Sequence, residues 1–500
     1  MALDSLEDYF PDWKQREALA EAMIPIIGRL YRKNVVVYCY GRALHNQSVT
    51  DIMKTHRFVR QVAENELSEF ESYPILEAMS RLDLGPSHVD VGKLAVEYMQ
   101  RTSSGERLSV GVFTREACAN IIGRHVQPLE KPVDVVLFGF GRIGRLLARL
   151  LIEKTGGGDQ LVLRAVVLRP GRPDDIVKRA ALLRRDSVHG AFQGTIRVDE
   201  ENQCLIANGN VIRMIYADDR SAIDYTQYGI DDALLIDNSG IWRDEEGLSE
   251  HLKSKGVSRV MVTAPGKGDV KNIVSGVNSH LIADDDRILS CASCTTNAIV
   301  PVLKAVSDQW GIVHGHIETV HAYTPDQNLH DNYHAKNRRG RSAPLNMVIT
   351  ETGASRAVAK LLPELEGKLT ANAIRVPTPN VSLAILKLTL HRDVDRDEVN
   401  AFLRDTALNS SLQRQIDYTS SNERVSSDFI GNRHACGIDG GATIVDGNRV
   451  VLYAWYDNEF GYACQVIRVT QKWAGIRYPL VPDVARTGFD ELRPPAAAAG

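Results

Sequence analysis

Apolar residues recur at helical spacing through the first quarter of the chain. In WKQREALAEAMIPIIGRLYRK, Leu19, Met23, Ile26, Ile27 and Leu30 share one face, the repeat of an amphipathic helix. VTDIMKTHRFVRQVAENEL opens on a capping residue and repeats the pattern, and VGKLAVEYMQR follows it. This predicts a mostly α-helical region over residues 1–130. It contains no glycine-rich loop and no clustered nucleophile, so the sequence assigns it no chemistry.

The period changes at Val133. Val133 to Phe138 form a continuous apolar run suited to a buried strand. Glycines follow, and then Ile143, Leu146, Leu147, Leu150 and Leu151 return to helical spacing before a second apolar run, LVLRAVVL. Strand, turn, helix and strand predict a βαβ unit and a parallel sheet. QCLIANGNVIRMIY reads as a hairpin around Asn208-Gly209. Beyond Cys294, stretches such as AIRVPTPNVSLAILKLTL alternate clearly, which predicts a largely antiparallel sheet. The expected fold class is therefore α/β followed by α+β, with a helical region ahead of both. Residues 481–500, rich in proline and alanine, are expected to be disordered.

Composition narrows the class. With 24% charged residues and a formal net charge of −4, nothing in the bulk balance recruits nucleic acid or an anionic membrane. No run of 18 apolar residues spans a bilayer. The opening MALDSLEDYFPDWKQ is acidic and lacks the apolar core of a secretory signal. Seven scattered cysteines are too sparse for a disulfide framework and point to a reducing compartment, the cytoplasm.

Gly139, Gly141 and Gly144 form G-x-G-x-x-G between the first strand and its helix. The first glycine permits a tight turn, the second lets the backbone approach a pyrophosphate, and the third lets helix and strand pack closely. The helix N-terminus, with Arg142 and Ile143, then faces the anion. The end of the second strand distinguishes NAD from NADP. An acidic residue there binds ribose hydroxyls, but this chain has Arg169 with Arg172 nearby. Arginine pairs with a 2′-phosphate, so the reading is NADP or dual use. The alternative is a solvated arginine, with Asp174 or Asp175 taking the acidic role.

CASCTTN, residues 291–297, carries Cys291 and Cys294. TTNAIVPVLKAVSDQWG continues as a helix that Gly311 stops, so Cys294 sits at a helix start, where the dipole favours thiolate. Cys291 lies in the strand-like RILSCAS and is expected to be buried. A thioredoxin-type pair would put its first cysteine at the helix start, and a zinc site would need two further ligands nearby. Neither condition holds here. A nucleophile needs a base, and His321 in ETVHAYTPDQ is the candidate.

SCASCTTN, VHAYTPDQ, RRGRSA, ETGASRAVAKLLPELEGKLTANAIRVPTPNVS and AWYDNEFGY, with FGFGRIGR, DSVHGAFQGT and TAPGKGD before them, resemble the glyceraldehyde-3-phosphate dehydrogenase family in order and spacing. The resemblance spans about residues 133–475. It implies a Rossmann NAD(P)-binding domain over 131–293 and 458–480 and a catalytic domain over 294–457. It implies that Cys294 attacks the aldehyde and His321 takes the proton, that Thr263 and Asn458 belong to the cofactor site, and that Tyr462 packs near the nicotinamide. Thr324 and Arg375 match the site for the substrate phosphate. Ser293, Thr295, Thr352 and Gly353 match that for the attacking phosphate, and Arg339 matches the arginine of the adjoining loop. The partners so implied are a phosphorylated aldehyde and inorganic phosphate, and the assembly a homotetramer. Residues 1–130 lie outside the family pattern and are a candidate docking region for an unknown protein.

The sequence departs from the family in three places. Ala298 replaces a second cysteine, Arg169 replaces the acidic residue, and Asn332-Tyr333 stand where Leu-Pro is frequent. The last two put strict NAD use in doubt. Rival readings are oxidation of another phosphorylated aldehyde, such as erythrose 4-phosphate, and a regulatory protein that keeps the fold without the catalysis.

Overall fold

The computed structural model describes residues 8–62, 67–125, 129–154 and 160–483. Its centre is a nine-stranded sheet. Seven parallel strands lie in the order Lys271–Asn272, Ile288–Ser290, Val257–Val262, Ala233–Asp237, Val133–Phe138, Leu161–Leu168, Asn210–Tyr216. The chain winds outward from Val133–Phe138 in both directions, so the topological switch point falls between that strand and Ala233–Asp237. In such sheets the ligand crevice opens there, beyond the carboxyl ends of the strands. The helices Arg142–Lys154 and Phe460–Trp473 cover one face. Phe460–Trp473 returns from the far end of the chain and is buried along most of its length. The hairpin forms at Asn208 and Gly209, whose φ of 47° and 84° are what a two-residue type I′ turn requires.

The second domain is a mixed sheet. Its longest strands, Ile312–Ala322, Ser382–Leu390 and Arg449–Tyr456, pair antiparallel. Two pairings differ from the expected pattern: Leu369–Val376 runs parallel to Ile312–Ala322, and Ile416–Thr419 runs parallel to Cys436–Asp439. The alternation in Ser382–Leu390 turns Ala384, Leu386, Leu388 and Leu390 into a core shared with helix Cys294–Trp310.

The N-terminal region is mostly helical, as expected, with a small sheet added. Helices do form at Tyr9–Tyr31, Val49–Val62, Glu69–Ser80, Val91–Ser103 and Val110–Ala117. They pack on a four-stranded sheet that helical periodicity missed, ordered Arg42–Ala43, Val35–Cys39, Ser87–Asp90, Leu480–Val481. The fourth strand comes from the C-terminal end, and pairs parallel to Ser87–Asp90 at His88↔Leu480 and Val89↔Val481. Leu480 and Val481 therefore belong to this sheet, not to the Rossmann domain or to a tail, and Val481 is buried. The rest of the expected disordered tail, 484–500, lies outside the described residues. The module is fixed to the body by polar contacts. Glu153 accepts from His45 at 3.2 Å and from Arg433 at 2.7 Å, Arg42 pairs with Asp417 at 3.4 Å, and Lys93 donates to Gln413 at 2.9 Å. Burial alone would raise the Glu153 carboxyl. Arg433 and His45 outweigh it and hold the group well below the usual carboxylate range. No described helix is long and apolar enough to cross a membrane.

Candidate active site

Strand Ile288–Ser290 ends at the carboxyl edge of the parallel sheet and delivers the chain to Cys294 across a strained turn. Ala292 has φ +53°, the left-handed region that costs a residue with a Cβ about 1 kcal/mol or more. Two contacts hold it there: its N–H donates to Ser290 Oγ at 2.9 Å, and its carbonyl accepts from the Tyr462 hydroxyl at 3.0 Å. Helix Cys294–Trp310 then starts, with Ser293 as N-cap accepting from the Thr296 N–H at 3.0 Å. Cys294 is half-buried where the two cores meet. Cys291 is fully buried against Met261 and its thiol is pushed well up by burial, so it is a packing residue.

His321 ends strand Ile312–Ala322. Its Nε2 lies 3.6 Å from Cys294 Sγ, and its Nδ1 lies 2.7 Å from the Ala322 carbonyl. Donation from Nδ1–H to that carbonyl would leave the Nε2 lone pair turned toward the thiol. Arg375 sits directly across the parallel ladder from His321. Its Nη1 reaches the same carbonyl at 3.0 Å, passes 2.9 Å from His321 Nδ1, and lies 3.4 Å from Thr324 Oγ1. Burial, reinforced by the Arg375 charge, pushes His321 down to about 3. The imidazole is thus neutral and able to accept a proton. Burial also pushes the Cys294 thiol up, against the opposing charge of Arg375 and hydrogen bonding by Thr295. Desolvation thus outweighs the helix start, where the dipole favours thiolate.

Arg375 Nε and Thr378 Oγ1 are buried without a hydrogen-bond partner among the described residues. An anion beside Arg375 would satisfy the first. Arg339 pairs with Asp326, donates to Thr350 Oγ1 at 3.0 Å, and adds its charge to the field that holds His321 neutral. Thr295 is committed to the Tyr456 hydroxyl at 2.9 Å. Thr352 and Gly353 form the turn before helix Ala354–Leu361, where Thr352 Oγ1 accepts from the Ala354 N–H. Their hydrogen bonds do not join them to Cys294, His321 or Arg375 among the described residues.

The glycine loop opens at the same edge of the sheet. Gly139 has φ +93°. A Cβ on Gly144 would lie 2.5 Å from the Gly139 carbonyl oxygen, whereas a Cβ on Gly141 would meet nothing within 4 Å. Gly144 is thus required by packing, and Gly141 leaves space for a ligand. Thr263 bonds Asn238 at 3.3 Å across the switch point. Asn458 Oδ1 accepts from Ser382 at 2.9 Å, which leaves the Nδ2 donors without a partner among the described residues, as a carboxamide ligand needs. These features fit a nicotinamide dinucleotide. Arg142 does not serve it with its side chain: the guanidinium is held by Asp186 and Glu459. Arg169, at the end of Leu161–Leu168, is exposed.

Sequence reasoning missed the residues that hold this site together. Ser382 bonds both Asn458 and the Ala322 N–H, the latter at 3.1 Å. Asp457 joins His189 at 2.9 Å, Asn380 at 3.0 Å and the Gly431 N–H at 2.8 Å. Val381, with φ +64°, is the strained β-branched residue next to Ser382. The words TPNVS and DSVHG contain Ser382 and His189, but no local spacing reveals their partners.

Comparison with known proteins agrees. Residues 133–245 match the family model described as the glyceraldehyde 3-phosphate dehydrogenase NAD binding domain, and residues 293–458 that of the C-terminal domain. A glyceraldehyde-3-phosphate dehydrogenase-like protein of Pseudomonas aeruginosa is 60% identical over 463 residues, 92% of this chain and 100% of the relative. The glyceraldehyde-3-phosphate dehydrogenase of Zymomonas mobilis is 36% identical over 344 residues, 68% of this chain and 98% of the relative. A chloroplastic one of Arabidopsis thaliana is 35% identical over 386 residues, 75% of this chain and 91% of the relative. The Pseudomonas alignment is too long to leave out the N-terminal module, whereas the Zymomonas one matches only the length of the body.

Proposed function

The chain belongs to the glyceraldehyde-3-phosphate dehydrogenase family, and from that premise we propose that it is a phosphorylating dehydrogenase of glyceraldehyde 3-phosphate that uses NADP or both dinucleotides. The observation that carries the reading is the Cys294–His321 pair at 3.6 Å beside Arg375. Neutral His321 takes the thiol proton as Cys294 attacks the aldehyde carbon, and the new C–S bond gives a hemithioacetal. A bound nicotinamide supplies the hydride acceptor. Cys294 then holds the acyl group as a thioester, and inorganic phosphate displaces it as 1,3-bisphosphoglycerate, returning the cysteine. Arg375 and Thr324 supply a cation and a hydroxyl for the substrate phosphate, while Ser293, Thr295, Thr352 and Gly353 are the candidates for the attacking one.

The setting is the cytoplasm, in glycolysis or gluconeogenesis, and the working form is a homotetramer. Purified protein should reduce NAD or NADP on glyceraldehyde 3-phosphate only when phosphate is present, and Cys294→Ser should abolish this. No turnover with either dinucleotide would overturn the reading. A higher kcat/KM on erythrose 4-phosphate would assign the rival substrate.

A further inference from the structure

A cavity of about 590 Å³ lies between the N-terminal module and the body, and neither Cys294 nor His321 lines it. Its walls come from strand Val35–Cys39 and helix Val49–Val62 on one side, and from residues 413–434 and Arg468 on the other; Leu480 and Val481 close it. The space is of the size that holds a small organic ligand.

The charge lining it is one-sided. Nine arginines and lysines face three aspartates. Two further carboxylates behind the wall, Asp417 and Glu153, pair with Arg42 and Arg433 and leave an excess of cations. Arg468 makes its hydrogen bonds to the neutral Arg414 carbonyl and to Gln465 Oε1, the latter at 2.9 Å. Burial, with Arg414 and Arg433 nearby, pushes its guanidinium down to about 9. Arg414 and Arg57 make no ion pair with a carboxylate among the described residues. Arg42 Nε and His45 Nδ1 are buried donors or acceptors without a partner there. Converging guanidinia around an empty space repel one another, and a multiply charged anion relieves that repulsion while filling their forked donors. Tyr38 and Phe58 add aromatic surface to the same walls.

We propose that this cavity is a second ligand site, and that its ligand is a small organic anion carrying two or more phosphate groups. The site needs both halves of the chain, since the module supplies Arg42 and Arg57 and the body supplies Arg414 and Arg468. It does not depend on the dehydrogenase reading, because it is tested by binding.

The test is calorimetric titration of the full-length protein, read against variants of the cavity wall that leave the dinucleotide site untouched. The probes are ATP, pyrophosphate and adenosine. ATP and pyrophosphate should both bind and adenosine should not. Tighter binding of ATP than of pyrophosphate would further assign a ring to the Tyr38 and Phe58 side. Arg414→Ala should weaken ATP binding by about tenfold or more. So should the double variant Arg57→Ala/Arg60→Ala, whose side chains are exposed, so that their loss should spare the fold. Absence of heat with both phosphate probes at millimolar concentration would overturn the proposal. So would adenosine binding as tightly as ATP, or ATP affinity equal in wild type and both variants.

Discussion

Arg375 acts on both members of the pair beside it. It lowers His321 and opposes the burial that raises Cys294. Replacing it with methionine should therefore raise both groups: His321 moves back toward the ordinary imidazole range, and Cys294 moves further up. Alkylation by iodoacetamide follows the thiolate, so its rate in the wild type should climb with pH and level off only above the ordinary thiol range. In Arg375→Met the climb should shift to still higher pH, and a shift to lower pH would contradict the electrostatics. Arg169 carries a separate prediction. Arg169→Asp should weaken NADP by about 1.5–3 kcal/mol, about tenfold to a hundredfold in Kd, and leave NAD little changed. Fluorescence titration with both dinucleotides measures it, and equal losses would reassign the residue.

At the scale of elements, the turn between Ile288–Ser290 and Cys294–Trp310 positions the nucleophile. Its left-handed Ala292 is held by the Tyr462 hydroxyl from helix Phe460–Trp473. Tyr462→Phe removes one hydrogen bond, worth about 0.5–1.5 kcal/mol. It should lower kcat more than it raises KM, because it relaxes the cysteine turn without touching the Arg375 side. A loss confined to KM would place Tyr462 elsewhere in the reaction.

The elements that build the glycine loop and the cysteine helix were legible in the sequence because their signals are local. VDVVLF, the three glycines and the repeat in RIGRLLARLL each declare one element. The contacts that hold the site were not legible, because each joins distant segments: Tyr462 to Ala292, Ser382 to Asn458, His189 to Asp457. The N-terminal sheet escaped for the same reason. Its strands are short, and the β-branched run Val35-Val36-Val37 between two helices was the one local sign of it.

For the whole molecule, the segment between Thr324 and Thr350 exposes an unusual amount of apolar side chain. Tyr333 is 90% exposed, Leu345 80% and Met347 77%. If the proposed tetramer forms, these side chains are the apolar ones it is expected to bury against a second copy. Leu345→Asp should yield a smaller species in light scattering coupled to size exclusion. A wild-type protein that elutes as a monomer at micromolar concentration would remove the premise.

The strand Leu480–Val481 that closes the N-terminal sheet carries a cost in time. On a ribosome adding about 5–20 residues per second, the chain between His88 and its partner Leu480 takes about 20–80 s to emerge. For that interval Ser87–Asp90 is an unpaired edge, with backbone donors and acceptors open to any other strand. The dehydrogenase body can collapse around its own cores while the module waits. The N-terminal module is thus completed only after the body has emerged, and chaperones would meet this protein at that open edge.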